Sequence, residues 1–403
     1  MTKELATRAQ ALPPPSVRYT LLGWVHKNLF STWYNALLTI LALGLSYALL
    51  KPILAWLIGQ SQWEVLKVNF RLLMVGQYPM AQLWRVWVCL HLLAAIIGLT
   101  WGVWVHGRRL LAAALLLVPL SLALLPTISS PTRLFLLGLD VFALIAFGLG
   151  RLRGLALRRL AIWSWVVYFF LVILIIAGLN PTAGWFPIVP STLWGGLLLT
   201  SLLTVVGIAF SFPLGVLLAL GRRSRLPVVR WVSVGYIEVI RGVPLVTILF
   251  MASTMLPLFL PSGMRPQLVV RAMVGITLFS AAYLAEGIRG GLQAIPHGQY
   301  EAAGALGLSG FHTMALIILP QALRIVIPVL MGQFIALFKD TTLVATIGLL
   351  ELLAISRSVL AQPQFVGFQR EVYLFITLIF WVFCYFISYI SQRLEIALGV
   401  GER

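Results

Sequence analysis

In a 403-residue chain that is 61% apolar, the residues able to do chemistry are eleven carboxylates, five histidines and two cysteines. Their spacing sets up no reaction. Cys89 and Cys384 sit far apart inside apolar runs, as small hydrophobes do, and neither a disulfide nor a metal pair has support. No set of side chains is spaced as a metal site, and no Ser or Cys is expected to have a base beside it, so the chain is expected not to be an enzyme. None of the five lysines (Lys3, Lys27, Lys51, Lys67, Lys339) follows a glycine, so no Walker-type phosphate loop is present.

The charges instead form short sets. Two Glu-x-x-Arg-Gly pieces, Glu238/Arg241/Gly242 and Glu286/Arg289/Gly290, each place an acid and a base on one helix face. They either neutralise each other near a membrane surface or form an inner gate that rearranges. Lys339-Asp340-Thr341-Thr342 joins both charges to two hydroxyls where an apolar run ends. Ionisable groups at membrane depth are functional candidates; the plainer alternative is a snorkelling lysine with a capping aspartate. Asp140 and His91 lie at similar depth inside their apolar runs, at about 1.5 Å per residue, and are expected to pair, as a structural hydrogen bond in preference to a transport role.

The elements that must hold these groups are membrane spans. Mean hydropathy is +0.99 and only 10% of residues are charged, against about a quarter in a soluble domain. The fold class is therefore all-α and polytopic. At about 20 apolar residues per crossing, about ten transmembrane helices fit, near 34–58, 86–105, 110–125, 134–150, 161–178, 193–220, 243–260, 268–287, 322–338 and 372–394. The first run is too long for a signal peptide. Segment 59–85, carrying Trp63, Glu64, Lys67, Arg71, Tyr78 and Trp84, suits a helix lying at the periplasmic interface. Residues 342–362 are apolar enough to re-enter the membrane or lie across it.

The net charge of +18 does not call for nucleic acid, because the cations cluster between apolar runs. Clusters at 106–109, 151–159 and 222–230 occupy alternate connections, which places those connections and both termini in the cytoplasm. The chain then divides into a cytoplasmic tail (1–33), an extension of about five spans (34–190) and a C-terminal core (191–403).

The connection at 290–320 is long, small-residue-rich and weakly charged. Pro296 suits a first helical turn, and Gln299 to Leu306 are good helix formers. Gly307 ends that helix as a C′ residue, and Ser309 caps a second helix that Pro320 interrupts. With Ala302, Ala303, Gly304 and Ala305 exposed, a partner could approach the backbone closely; the alternative is a plain amphipathic connector lying on the membrane surface.

Glu301-Ala302-Ala303, three residues, Gly307, nine residues, Ile317, one residue, then Leu319-Pro320 resembles the EAA loop of ATP-binding-cassette importer permeases at every position of that motif. Residues 236–245, 282–291 and 338–343 resemble the polar amino-acid branch of that family, a likeness running from about 193 to the C-terminus. Asn69-Phe70-Arg71, Gly76-Gln77-Tyr78-Pro79 and Trp84-Arg85, with the extra N-terminal spans, resemble one permease of the general L-amino-acid importers. Gly287 and Val243 depart from the pattern without removing a charge.

The resemblance implies a five-helix type I importer core in a bacterial inner membrane. Glu301, Ala302, Ala303, Gly307, Leu319 and Pro320 would form a coupling loop seated in a groove of a cytoplasmic ATPase subunit. Two such ATPases would use the ATP and Mg, and this chain would bind no cofactor. The other implied partners are a second, non-identical permease, a periplasmic amino-acid-binding protein near Trp185, Pro187, Trp194, Pro261 and Arg265, and membrane lipid. Lys339, Asp340, Thr341 and Thr342 would stand beside the L-amino-acid substrate, since a zwitterion needs an anion, a cation and small hydroxyls. The alternative is an ion-coupled secondary transporter of a small polar solute. It calls for broken helices in two repeats and acids at the midplane, and neither pattern is evident.

Overall fold

The computed structural model describes residues 20–104, 117, 119–124, 129–180, 184, 186–261 and 263–399. Most of the expected tail, the 106–109 cluster, most of the 110–125 span and Trp185 lie outside the described residues. All regular elements among the described residues are helical, as backbone crossing lipid requires.

The chain forms two units, residues 1–63 and 64–403. In the first, Thr20 and Thr32 cap α1 (Leu21–Leu29) and α2 (Trp33–Gly59) by accepting from the amides of Gly23 and Asn35. α2 carries apolar residues round its whole circumference, as a lipid-exposed crossing does.

The second unit contains α3 (Glu64–Val75), α4 (Leu83–Trp104), α5 (Ser130–Leu152), α6 (Gly154–Ala177), α7 (Gly196–Arg222), α8 (Pro227–Gly242) and α9 (Leu245–Thr254). It continues with α10 (Leu268–Gln293), α11 (His297–Ala305), α12 (Leu319–Asp340), α13 (Leu352–Leu360) and α14 (Gln369–Ala397). Among the described residues of the whole chain, eight helical stretches are long and apolar enough to cross a membrane, nine if the bent α8–α9 pair counts as one.

Three expected elements differ in form. The seventh span is not a straight crossing: α8 and α9 meet at 108°. Pro244 cannot donate to a continuing helix and drives Val243 into extended backbone (φ −109°, ψ 134°). The ninth is longer than expected, one helical stretch of 38 residues from Gly310 to Ile347. Pro320 stands in the first turn of α12 and does not interrupt it; the π-helical turn at Thr313–Ile318 precedes it and absorbs the mismatch. The interfacial segment is a packing element: α3 buries Val65, Leu66 and Leu73 against α7 and α13.

That docking depends on a glycine. Gly196 has φ +58°, and a Cβ there would stand 2.2 Å from the Leu73 carbonyl oxygen. Residues 341–360 form a 3₁₀ turn and α13, which buries Leu352, Ile355 and Val359. Glu351 caps α13, accepting from the Leu353 and Ala354 amides at 2.8 and 2.7 Å. The carboxyl is fully buried, and burial pushes its pKa up to about 7.

Two apolar clusters hold the second unit together. One centres on Tyr78, Ile176, Trp194, Leu199, Leu249, Ile276 and Leu337. The other joins Ala219 and Ile237 to Leu284, Ile288, Leu292, Ala322 and Val326, at the end of α10 that carries the charges.

Candidate functional site

α11 ends as the sequence predicts. Gly307 takes φ +73°, its N–H reaches the Gly304 carbonyl at 2.9 Å, and the Leu308 N–H reaches that of Ala303 at 3.1 Å. These two bonds are a Schellman cap. Ser309 then caps the next turn, accepting from the His312 amide at 3.4 Å. Its Oγ also lies 2.8 Å from His312 Nδ1. The sequence does not flag this Ser–His contact; the ring also makes a T-shaped contact with Phe311, centroids 5.8 Å apart.

Glu301, Ala302, Gly304, Ala305 and Gly307 are exposed, whereas Ala303 is only 1% exposed, contrary to expectation. It faces the π-helical turn, and its methyl is what that close packing accommodates. Leu319 is half-buried and Pro320 exposed. Two residues that the sequence reading missed dominate the outward surface: Leu306 is 79% and Phe311 77% exposed. Large apolar groups exposed on either side of a turn mark a candidate contact surface.

Two polar contacts fix α11 to the long helices, and neither was foreseen. Arg223, just past the end of α7, donates to the Tyr300 hydroxyl at 3.1 Å and the Leu292 carbonyl at 3.2 Å. Gln321, on α12, donates to Gln299 Oε1 at 3.2 Å. α11 is thereby hydrogen-bonded to the end of α7 and to α12, and Arg223 ties that same end of α7 to α10.

The glutamates and arginines converge, with different pairing from that expected. Glu286 and Arg289 pair along α10, with Arg289 Nε 2.9 Å from Glu286 Oε2. Glu238 does not pair with Arg241. It takes Arg222 at 2.8 Å, while Arg222 and Arg241 approach Glu286 at 3.5 and 3.7 Å. The end of α7 brings Arg222 between the two acids, a tertiary fact that spacing within one helix does not encode. The Arg241 guanidinium also lies 5.7 Å from the centre of the Tyr283 ring. Three helix ends are thus held by one network of alternating charge.

Lys339, Asp340, Thr341 and Thr342 lie where α12 passes into the 3₁₀ turn. Thr341 and Thr342 donate to the carbonyls of Phe338 and Lys339 at 2.7 and 2.8 Å; the Thr341 hydroxyl is fully buried, and that of the half-buried Thr342 keeps its lone pairs to accept. Lys339 is exposed and Asp340 half-buried.

Asp140 and His91 do not bond to each other. His91 Nδ1 contacts the Trp87 carbonyl at 2.6 Å, its other ring nitrogen faces Gly138, and Asp140 Oδ2 has no partner among the described residues. α4 and α5 do pack together, but their rotation sets the ring against the glycine. Of the expected rim, Trp194 is buried; Pro187 accepts a hydrogen bond from the fully buried Arg85 at 2.8 Å. No group of three or more His, Cys, Asp and Glu among the described residues is placed to hold a metal.

Residues 211–398 match the family described as "Binding-protein-dependent transport system inner membrane component". The chain is 39% identical over 397 residues to the inner membrane amino-acid ABC transporter permease protein YhdY of Escherichia coli K12, covering 94% of this chain and 93% of that protein. It is 37% identical to the glutamate/glutamine/aspartate/asparagine transport system permease protein BztC of Rhodobacter capsulatus, covering 100% and 98%. A chain from the crystal structure of an amino acid ABC transporter with histidines is similar at 31% identity and a TM-score of 0.43, over 49% of this chain and 89% of that one.

Proposed function

Because this chain belongs to the amino-acid permeases of ATP-binding-cassette transporters, we propose that it carries L-amino acids inward through 191–403 and takes its mechanical input through 290–320. As a multi-pass permease subunit it works with partners. The proposed set is two cytoplasmic ATPases, which use the ATP and Mg, a non-identical second permease, and a periplasmic binding protein that delivers substrate. The chain itself holds no cofactor, and both termini lie in the cytoplasm.

The observation that carries this reading is the rigid cap at Gly307, with Leu306 and Phe311 held outward and α11 tied to α7 and α12. Glu301, Ala302, Gly304, Ala305, Gly307 and the exposed Pro320 face the ATPase groove, and Ala303 and Leu319 fit α11 to the helix behind it. Closure of the ATPases would press on α11 and pull the ends of α7, α10 and α12 through Arg223 and Gln321. Glu238, Arg241, Glu286 and Arg289 are the inner gate, with Arg222 as its missing fifth member. Lys339, Asp340, Thr341 and Thr342 supply the cation, anion and hydroxyl oxygens for a zwitterion.

The test is to purify the chain from native membranes, identify what accompanies it, and reconstitute that assembly in proteoliposomes. ATPase co-purification and ATP-dependent uptake of amino acid are expected. Uptake that follows an ion gradient and ignores ATP refutes the proposal and favours a secondary transporter.

A further inference from the structure

A cleft of about 420 Å³ opens where α7 and α10 end, lined by Arg222, Arg223, Arg230, Val234, Arg289 and Gln293. The acids in contact with its arginines are Glu238 and Glu286, and they engage Arg222 and Arg289. Arg223 binds only neutral oxygens, and Arg230 has no ion pair among the described residues. Two positive charges in the cleft therefore lack a carboxylate. Guanidinium groups offer planar paired donors that match a phosphate.

The height of the cleft and its flank select the kind of phosphate. α7 has 27 residues, so at about 1.5 Å per residue it is about 40 Å long, and its ends reach the headgroup level of a core about 30 Å thick. α8 borders the cleft and turns away from α9 at 108°. It buries Ser233 and Ile237, and on the opposite face Val228, Trp231, Val232 and Val239 stay exposed. Trp231, next to Arg230, is 74% exposed. A soluble anion has no use for that stripe, whereas an acyl chain does.

We propose that this cleft binds the phosphate of an anionic phospholipid, with an acyl chain lying along the apolar face of α8. Arg223 and Arg230 take the phosphate, and Trp231 marks the start of the acyl path. Because Arg223 also holds Tyr300 of α11, the bound headgroup stands one side chain from the proposed coupling loop. The site does not depend on which solute is carried.

The test uses the purified full chain in nanodiscs. Tryptophan quenching by brominated phosphatidylglycerol is compared with quenching by brominated phosphatidylcholine, both diluted in unbrominated phosphatidylcholine. Subtracting a Trp231→Phe variant isolates Trp231. At about fivefold per basic side chain, two free arginines give roughly 25-fold preference for phosphatidylglycerol. Arg230→Gln is expected to lose about fivefold of it, while Arg158→Gln, a charge removed elsewhere, keeps it. Equal quenching by the two lipids in the unaltered chain overturns the proposal without any variant. So does an Arg230→Gln chain with undiminished preference, or relief of quenching by millimolar inorganic phosphate or ATP, which would make the cleft a site for a soluble anion.

Discussion

Gly307→Val tests the coupling hinge at the residue whose cost can be worked out most directly. A Cβ at Gly307 meets nothing within 4 Å, so the substitution creates no clash. Its whole effect is the backbone at φ +73°. For an L-residue that region costs about 1–2 kcal/mol, and more for a β-branched one. The Schellman cap should therefore open roughly 5–30 times more often, at 1.4 kcal/mol per factor of ten. The Gly307 and Leu308 amides close the cap, so their hydrogen-exchange protection should fall by that factor. Gly310→Val is the matched control, since Gly310 also has open space but no positive φ. In the reconstituted complex, Gly307→Val should lower amino acid moved per ATP hydrolysed while membrane insertion is normal, and Glu301→Lys should do the same by reversing a charge on the exposed face of α11. Unchanged protection at Leu308 together with unchanged stoichiometry would refute the hinge.

Four further outcomes follow from the geometry. Glu286→Gln removes contacts to three arginines and should lower stability by about 1–3 kcal/mol, whereas Glu238→Gln, on an exposed pair, should cost under about 1 kcal/mol; equal shifts in thermal unfolding would contradict the network. Asp340→Ala or Lys339→Ala should abolish uptake while assembly and basal ATPase activity survive, and normal uptake kinetics in both would remove these residues from the pathway. Gly196→Ala combines a positive φ with a Cβ 2.2 Å from the Leu73 oxygen and should cost about 2–5 kcal/mol, seen as protease access to 64–85; an undisturbed α3 would show that the junction yields. Glu351 has a folded pKa raised from 4.5 to about 7, so the folded chain binds more protons than the unfolded one between those values and stability falls as pH rises from about 4.5 to 7. Glu351→Gln should flatten that slope in unfolding scans across the same window, and a slope unaffected by the substitution would place the titrating group elsewhere.

What the sequence disclosed was what is local. Gly307 and Ser309 signal a helix stop and start through backbone preferences that need no tertiary context, and both hold. Glu286 and Arg289 share a face by helical periodicity, and they pair. The failures lie where a contact depends on how two helices are rotated or where one ends. Glu238 meets Arg222 because the end of α7 is adjacent to α8, and His91 misses Asp140 because α4 presents its ring to Gly138. Exposure was legible only on average: small residues at 302–305 pointed outward except Ala303, whose size suits it equally to a tight contact. Leu306 and Phe311 went unnoticed because one leucine and one phenylalanine are unremarkable in so apolar a chain. Only their exposure marks them.

The proposed coupling role also requires a reason for a push on α11 to reach the gate instead of dissipating in the loop. A loop held at its ends alone would bend. α11 is held at both of its flanks, by Arg223 to Tyr300 and by Gln321 to Gln299, and Ala303 packs its middle against the π turn. On the proposed reading, load would pass into α7 and α12 side by side. Arg222 and Arg223 are consecutive, so the residue that grips α11 adjoins the one that bridges Glu238 and Glu286. A displacement of this short piece of backbone changes both at once. Arg223→Gln should then weaken coupling with Arg222 and its partners untouched, and the loss should match that of Tyr300→Phe if the hydroxyl is the grip. If Tyr300→Phe leaves transport per ATP unchanged while Arg223→Gln lowers it, force enters through the Leu292 carbonyl and α10 instead.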